Sequence, residues 1–255
     1  SGTDTLVFSY VVQPGDSTAD LDYTSATPIA LNGATVIDTA GNPADLTLAA
    51  PGAPGSLGAN KAIAIDTTVP VVAAVSATTA DGTYKPGDVI TLTVAFSEAV
   101  TVSGTPTLQL ETGATDRLAT YAGGSGSDTL TFTYTVQPGD QTPDLESLAT
   151  NALALAGGSI RDAAGNDATL TLPALGSAGS IAGSKAIVID GVLPTVTDVS
   201  ATTPDGSYQA GDVVTITVKA SEAITIAGGT PTLLLETGAT DRAATYVSGS
   251  GTDTL

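Results

Sequence analysis

The chain of 255 residues contains no cysteine, methionine, tryptophan or histidine. Without cysteine, neither disulfide bonds nor thiolate metal sites can stabilise its fold. The sequence also offers no histidine as a general base and no glycine-rich phosphate loop between a strand and a helix. Aromatic residues make up only 4% of the chain, which argues against the aromatic-lined cleft expected of a glycoside hydrolase. We therefore expect that the protein is not an enzyme.

Positive charge is also scarce, because 7 lysines and arginines stand against 26 acidic residues and the formal net charge is −19. Nucleic acids and anionic membrane surfaces attract basic proteins, so neither is expected as a partner. The sequence contains no apolar run long enough to cross a bilayer, and membrane insertion is not expected. A hydrophobic content of 42% is nevertheless too high for a disordered chain.

Long segments of the sequence occur twice. The segment "TLTFTYTVQPGD" at 129–140 repeats "TLVFSYVVQPGD" at 5–16, an offset of 124 residues. The segment "LETGATDRAATY" at 235–246 repeats "LETGATDRLATY" at 110–121 with an offset of 125, because the later copy follows an extra glycine in "IAGGTPT". The sequence is therefore built from a repeat of about 125 residues.

The repeat boundaries are placed at two similar joints, "AIDTTVP" and "VIDGVLP", where an apolar run meets aspartate, a short turn and proline. Proline biases the preceding residue to extended geometry and suits the entry to a domain. This division predicts the C-terminal half of one repeat at 1–65, a complete repeat at 66–189 and the N-terminal half of another at 190–255. The hexapeptide "SGTDTL" opens the first segment and closes the last.

Strict alternation of apolar and polar residues predicts β-strands. In the segment 88–100, Ile90, Leu92, Val94 and Phe96 alternate with smaller or polar residues, and the segment 128–139 alternates in the same way. Turn sequences rich in Gly, Pro, Asn and Asp separate these segments from the other predicted strands. The pattern predicts an all-β fold of tandem immunoglobulin-like β-sandwich domains and requires no helix. The remaining strands are predicted at 71–77, 106–111, 117–122, 153–160, 168–173 and 185–189.

The "IDxxxP" joints, the strand "TYKPGDVITLTVAFSEAV" and the loop "IRDAAGN" together resemble the bacterial Ig-like tandem extender repeats of giant cell-surface and biofilm adhesins, including those with RTX-type tails. The resemblance implies an extracellular filament of β-sandwiches on the bacterial surface. It also implies joints that are often rigidified by Ca²⁺, and an array that holds a terminal binding domain away from the cell in cell adhesion.

Acidic turns are the candidate metal ligands. The complete repeat has 12 acidic and four basic residues, and Ca²⁺ prefers about six to eight oxygen ligands. If the strands alternate in direction, Asp66, Glu98 and the loop from Asp162 to Asn166 meet at one pole of the sandwich. The alternative is that Asp162 and Asn166 only form an Asx turn, Asp66 caps the linker and Glu98 is solvated. The equivalent residues of the partial repeats are Asp38, Asn42, Asp190 and Glu222.

A second acidic group is predicted at the opposite pole, where it would face the next repeat across the joint. Here ordinary β-turn formation is the stronger alternative, because "DG" and "PGD" are common turn sequences. The segment "GGSGSDTLT" also fits the nonapeptide of Ca²⁺-binding β-rolls, but it stands alone, and a hairpin turn is favoured. The second group consists of Asp81, Asp88, Asp140 and Asp144.

Two functions remain open. The array is either a structural spacer that acts by length and rigidity, or a multivalent carbohydrate- or cell-binding module that acts by avidity. Carbohydrate sites usually present exposed aromatic platforms, but tryptophan is absent and Tyr84, Tyr121 and Tyr134 lie in strand-like or strand-edge contexts. The spacer is therefore favoured over the binding module.

The expected partners are neighbouring repeats of the same protein. The two partial repeats together contain one repeat length. Either the sequence is a window of a longer chain, or copies join head to tail by completing each other's split domain.

Overall fold

The structure is a computed structural model that describes residues 2–255. It is almost entirely β, with 37% of the residues in strands and 3% in helices. No helix among these residues has the length and apolar character needed to cross a membrane. The first partial repeat contains the strand β1 (Ser17–Thr18) and the helical turn α1 (Leu57–Asn60), and β1 pairs antiparallel with β2 (Ile65–Asp66) at the joint.

The complete repeat contains most of the regular structure. Its elements are β3 (Val72–Ala77), β4 (Gly82–Tyr84), β5 (Val89–Ser103), β6 (Thr107–Glu111), β7 (Arg117–Gly123), β8 (Ser127–Thr135), β9 (Gln141–Thr142), β10 (Glu146–Ser147), β11 (Leu153–Ala154), β12 (Ser159–Arg161), α2 (Ile181–Ser184) and β13 (Ile187–Asp190). The last partial repeat contains β14 (Val196–Ala201), β15 (Ile216–Ile224), β16 (Thr232–Leu235), β17 (Arg242–Thr245) and β18 (Thr252–Thr254).

Two sheets form the complete repeat. The larger has eight strands in the order β10-β6-β7-β8-β5-β12, with β11 also paired to β6 and β3 also paired to β5. Every pairing in it is antiparallel. The smaller sheet has the order β4-β13-β9, in which β13 runs parallel to β4 and antiparallel to β9.

The hydrophobic core lies between these sheets. Ile90, Leu92 and Val94 of β5 are fully buried, as their alternation predicts. Leu130 and Phe132 of β8 are equally buried, and the smaller sheet contributes Ile187 and Ile189 to the same cluster. The fold is therefore all-β and sandwich-like, with one core built from alternating side chains.

Two of the predicted strands are not continuous strands in the structure. The strand predicted at 153–160 is divided into β11 and β12 by a turn in which Ala156 and Gly157 both have positive φ. The segment 168–173 contributes only an isolated bridge between Val71 and Thr169. The two helical turns were not predicted, and each begins at a serine, Ser56 or Ser180, whose hydroxyl caps the first turn.

The partial repeats contrast with the complete one. Among residues 2–255, Ala220 is the only buried hydrophobic residue outside the range 65–189. Large apolar side chains are exposed on both sides of that range, including Phe8 at 73% and Val213 at 81%. Each partial repeat thus contains local strands and turns together with exposed apolar side chains.

Gly124 is the position where the hairpin between β7 and β8 requires glycine. Its φ is +98°, and an added Cβ would lie 2.2 Å from the carbonyl oxygen of Thr129. We expect Gly124→Ala to lower the free energy of unfolding by about 2 kcal/mol, measured by chemical denaturation. Gly123→Ala is the matched control, because a Cβ there meets nothing within 4 Å. Equal stabilities of the two variants would contradict this account of the hairpin.

Candidate metal centre

Three carboxylates converge at the joint that precedes the complete repeat. Asp66 ends β2, Glu98 lies on β5, and Asp162 follows β12. Each offers a carboxylate oxygen, and these three oxygens lie within 4.8 Å of one another. No other group of three or more acidic side chains in residues 2–255 meets this description. The triad therefore unites a linker residue with two parts of the sandwich that are distant in sequence.

The topology explains why these residues meet. β12 pairs with the end of β5, with Arg161 opposite Thr101, so the loop after β12 lies near Glu98 on the same strand. Val71, just after the joint, forms a parallel bridge with Thr169. The joint and the loop are therefore held on the same side of β5.

The loop from Asp162 to Asn166 is an Asx turn. Oδ1 of Asp162 accepts hydrogen bonds from the backbone N–H of Gly165 at 2.7 Å and of Asn166 at 2.8 Å. Its Oδ2 accepts from Nδ2 of Asn166 at 2.7 Å. The structural alternative that the sequence offers for these two residues is thus present, and Asp162 also belongs to the triad.

Asn166 also links the loop to the joint, because its Nδ2 donates to the backbone oxygen of Asp66 at 3.1 Å. The Asp66 side chain accepts from the N–H of Thr68 at 2.9 Å through Oδ1, which is the linker cap that the sequence suggested. Both contacts position the Asp66 carboxylate at the base of the linker.

The electrostatics of the triad affect its members differently. Burial raises the pKa of Glu98, and the neighbouring charges of Asp66 and Asp162 raise it further. Burial also acts to raise the pKa of Asp162, but the hydrogen bonds from Asn166 and Gly165 outweigh it and lower that pKa below its ordinary value. Hydrogen bonds therefore stabilise the charged carboxylate of Asp162, whereas the surroundings of Glu98 disfavour its charged form. A cation bound between them would stabilise the negative charge of both carboxylates.

The partial repeats contain pieces of the same arrangement. Asp38 repeats the Asx turn, since its Oδ1 accepts from the N–H of Asn42 and its Oδ2 accepts from the Asn42 side chain, both at 2.8 Å. Asp190 accepts only a long bond from the N–H of Val192 at 3.3 Å. Oε1 of Glu222 is buried without a hydrogen-bond partner. Neither partial repeat contains all three counterparts of the triad.

The second predicted group is spread over separate local contacts. Asp81 accepts from the N–H of Ala186 at 3.1 Å. Asp88 accepts from the N–H and the Nζ of Lys85, each at 3.0 Å. Oδ1 of Asp144 is buried without a partner. The structure does not bring these residues together with Asp140 into one cluster of three.

Asp140 is the centre of a different network, which sequence reasoning missed. It is 1% exposed and accepts from the hydroxyl of Tyr134 at 2.5 Å, from Nε of Arg117 at 2.8 Å and from the N–H of Gln137 at 2.9 Å. Burial and the hydrogen bond to Asp140 raise the pKa of Tyr134, so its phenol stays neutral. The spacing of Tyr134 and Asp140 across the "QPGD" turn was the signal available in the sequence.

Comparison with known proteins yields no relative: no protein-family model matches the sequence, and no significant match occurs among the curated proteins or the solved structures.

The charge of Glu98 should reduce stability in the absence of metal. A raised pKa means that the folded state holds the proton more tightly than the unfolded state does, so this contribution to stability is lost as pH rises through the raised pKa. In EDTA, Glu98→Gln should therefore melt slightly above the wild type at pH 7 and at the same temperature at pH 3. The measurement is thermal unfolding followed by circular dichroism at both pH values. A variant that is less stable at pH 7 in EDTA would contradict the repulsion.

Asp140 should be essential for stability. Asp140→Ala leaves the buried Tyr134 hydroxyl and the Arg117 guanidinium without their acceptor, and we expect a loss of about 3 kcal/mol in the free energy of unfolding. Asp88→Ala is the control, because it removes an ion pair with Lys85, whose side chain is 78% exposed, and should cost less than about 1 kcal/mol. Urea denaturation of the two variants gives both values, and similar losses would refute the assignment.

Proposed function

We propose that this protein is part of an extended stalk: tandem immunoglobulin-like sandwiches that act as a structural spacer in an extracellular bacterial adhesin or surface filament, with Ca²⁺ at the joints between repeats. The observation that carries the proposal is the composition of the triad. Asp66 belongs to the linker, whereas Glu98 and Asp162 belong to the sandwich that follows it. A cation bound to all three would fix the direction of the linker relative to the domain.

The ligand chemistry suits a hard divalent cation. The triad offers carboxylate oxygens alone, and oxygen is the ligand atom that Ca²⁺ and Mg²⁺ both prefer. The adjacent Asn166 carries an amide oxygen in addition to the amide group that bonds Asp162. Calcium accepts a larger and less regular set of oxygens than magnesium, and irregular turns suit that requirement.

Electrostatic repulsion gives the metal a mechanical effect. The complete repeat carries 12 acidic and four basic residues, so neighbouring domains repel across short joints. Salt screens this repulsion beyond roughly 8 to 10 Å, but the carboxylates of the triad are well within that distance. A bound cation neutralises them locally, so the joint can adopt one extended geometry instead of many.

The burial and contacts of Tyr84, Tyr121 and Tyr134 favour a spacer over a carbohydrate-binding module. Tyr134 is 2% exposed, and the ring of Tyr121 packs edge-on against Phe132 with 5.9 Å between ring centroids. The hydroxyl of Tyr84 donates to the backbone oxygen of Ala80 at 2.7 Å. These rings serve packing and turns and do not form a flat exposed platform for a sugar.

The test is a calcium titration of the 255-residue chain, followed by thermal unfolding and small-angle X-ray scattering. Calcium that binds only the folded state should stabilise it by about 2.7 kcal/mol at a hundredfold excess over the dissociation constant. We expect millimolar Ca²⁺ to raise the melting temperature and to increase the maximum dimension relative to EDTA. A parallel titration with Mg²⁺ should have a smaller effect.

Variants identify the site. Glu98→Gln should lose most of the calcium-dependent stabilisation, although it stabilises the protein slightly in EDTA. Asp116→Asn removes the same charge from an exposed position outside the triad and should keep the full response. Identical melting and scattering in EDTA and Ca²⁺, or an equal loss in both variants, would overturn the metal assignment.

A further inference from the structure

A turn of the complete repeat holds the start of the joint that follows it. The turn runs from Gln137 to Asp140, and the joint begins where β13 ends at Asp190. The N–H of Gly139 donates to the backbone oxygen of Gly191 at 2.9 Å, and the N–H of Gly191 donates to the backbone oxygen of Asp140 at 2.6 Å. Gly191 is therefore bound to the turn through both of its backbone polar groups.

The contact between the turn and Gly191 leaves no room for a side chain. A Cβ added to Gly191 would lie 2.5 Å from the backbone oxygen of Gln137 and 2.6 Å from that of Asp140, which is closer than real Cβ atoms approach their neighbours. The φ of Gly191 is not positive. The close approach of the turn, and not an unusual backbone angle, therefore favours glycine at this position.

The turn is itself anchored in the core through Asp140. Asp140 is 1% exposed, and its carboxylate accepts from the hydroxyl of Tyr134, from Nε of Arg117 and from the N–H of Gln137. Tyr134 belongs to the hydrophobic core cluster. The side chain of Asp140 thus contacts the core, while its backbone oxygen binds Gly191 of the joint.

The joint before the complete repeat is held by the same turn with different chemistry. The turn 13–16 has the same sequence, "QPGD", and Thr67 stands at the position of Gly191. The hydroxyl of Thr67 accepts from the N–H of Gly15 at 2.9 Å and donates to the backbone oxygen of Asp16 at 3.0 Å. These are the counterparts of the two turn groups that bind Gly191. A threonine hydroxyl therefore replaces the N–H and the carbonyl of the glycine.

A short segment separates Gly191 from the next sandwich. Residues 192–194 lead to Thr195, whose N–H donates to Oγ of Ser221 at 3.0 Å and whose oxygen accepts from the N–H of Ser221 at 2.8 Å. The last of these three residues is Pro194, which has a fixed φ and restricts the residue before it. Few backbone angles can therefore change between the two contacts.

The first joint has the same length. Residues 68–70 separate Thr67 from Val71, whose N–H donates to Oγ of Ser97 at 3.1 Å and whose oxygen accepts from the N–H of Ser97 at 2.9 Å. Pro70 again ends the segment. The two joints thus share a contact with the preceding repeat, three connecting residues and a contact with the following repeat.

We propose that the turns 13–16 and 137–140 are metal-independent clamps, which fix the direction in which a joint leaves the preceding sandwich. Each clamp binds the residue that follows the aspartate of the joint, either through the backbone of a glycine, Gly191, or through the hydroxyl of Thr67. In the first joint the clamp also holds Asp66, the neighbour of Thr67, so that a cation at the triad would connect two sandwiches directly. That consequence rests on the proposed function, whereas the clamp itself does not.

Hydrogen exchange of the 255-residue chain in EDTA, followed by NMR, tests the clamp at the second joint. Gly191→Thr should keep the amide of Gly139 protected, because its hydroxyl accepts the same hydrogen bond that Thr67 accepts. Gly191→Val has the same shape without the hydroxyl and should exchange about tenfold faster at Gly139, as expected for the loss of about one hydrogen bond. Core amides of β8 should keep their wild-type rates in both variants. Equal exchange at Gly139 in the two variants, or an unprotected Gly139 in the wild type, would overturn the proposal.

The first joint allows a test that adds no volume to the contact. Thr67→Val removes the hydroxyl and should accelerate exchange of the Gly15 amide in EDTA. Thr67→Ser keeps the hydroxyl and should leave that exchange unchanged. If the Gly15 amide exchanges equally in both variants, the hydroxyl is not the group that the turn binds.

Electron paramagnetic resonance measures the effect of the clamp on the joint. The chain has no cysteine, so spin labels can be placed at Ala114→Cys and Ser200→Cys, two exposed positions on either side of the second joint. In EDTA, Gly191→Val should broaden the distribution of distances between the labels, and Gly191→Thr should not. A distribution that Gly191→Val leaves unchanged would contradict the role of the clamp in the joint.

The same experiments with Ca²⁺ separate this inference from the proposed function. If Gly139 and Gly15 are protected in EDTA and the chain does not respond to Ca²⁺, the clamp is supported and the metal assignment alone fails. If their protection appears only when Ca²⁺ is added, the clamp is not independent of metal and the inference is wrong.

Discussion

The antiparallel pairing of β5 with β8 is the interaction on which the rest of the structure depends. It joins the two longest strands of the complete repeat and aligns Leu92 with Phe132 and Val94 with Leu130 on the buried face. β3, β7 and β12 are then added to one or other of these strands. Where the pairing is reduced to a few residues, as between β15 and β18, apolar side chains of β14 and of the segment before β15, such as Val199 and Val213, are exposed.

This pairing also positions the candidate metal centre. β5 continues beyond its core residues through Glu98 to Ser103, and there it receives β12. The loop after β12 carries Asp162 and, through Asn166, binds the backbone of Asp66 in the linker. The linker is therefore connected, through Asn166 and β12, to the same strand that organises the core.

The acidic residues differ in how far their roles could be predicted. The alternating direction of the predicted strands places Asp66, Glu98 and Asp162 at one pole, and the structure brings these three residues together. Asp140 looked like one more acid in a turn, but its environment is a buried contact with Tyr134 and Arg117. The local sequence predicts the turn that contains Asp140. The contact with Arg117, which lies 23 residues away on another strand, is formed only in the folded structure.

The sequence by itself determined the repeat, the all-β class and the buried faces of the long strands, because alternation and turn residues act over a few neighbouring positions. It also indicated the Asx turn at Asp162, whose hydrogen bonds span only four residues. Tertiary structure decided the rest. The division of the segment 153–160 into two strands, the parallel pairing of β13 with β4 and the meeting of three carboxylates all depend on contacts between distant segments. The energies of such contacts come from burial and shape, which no local pattern records.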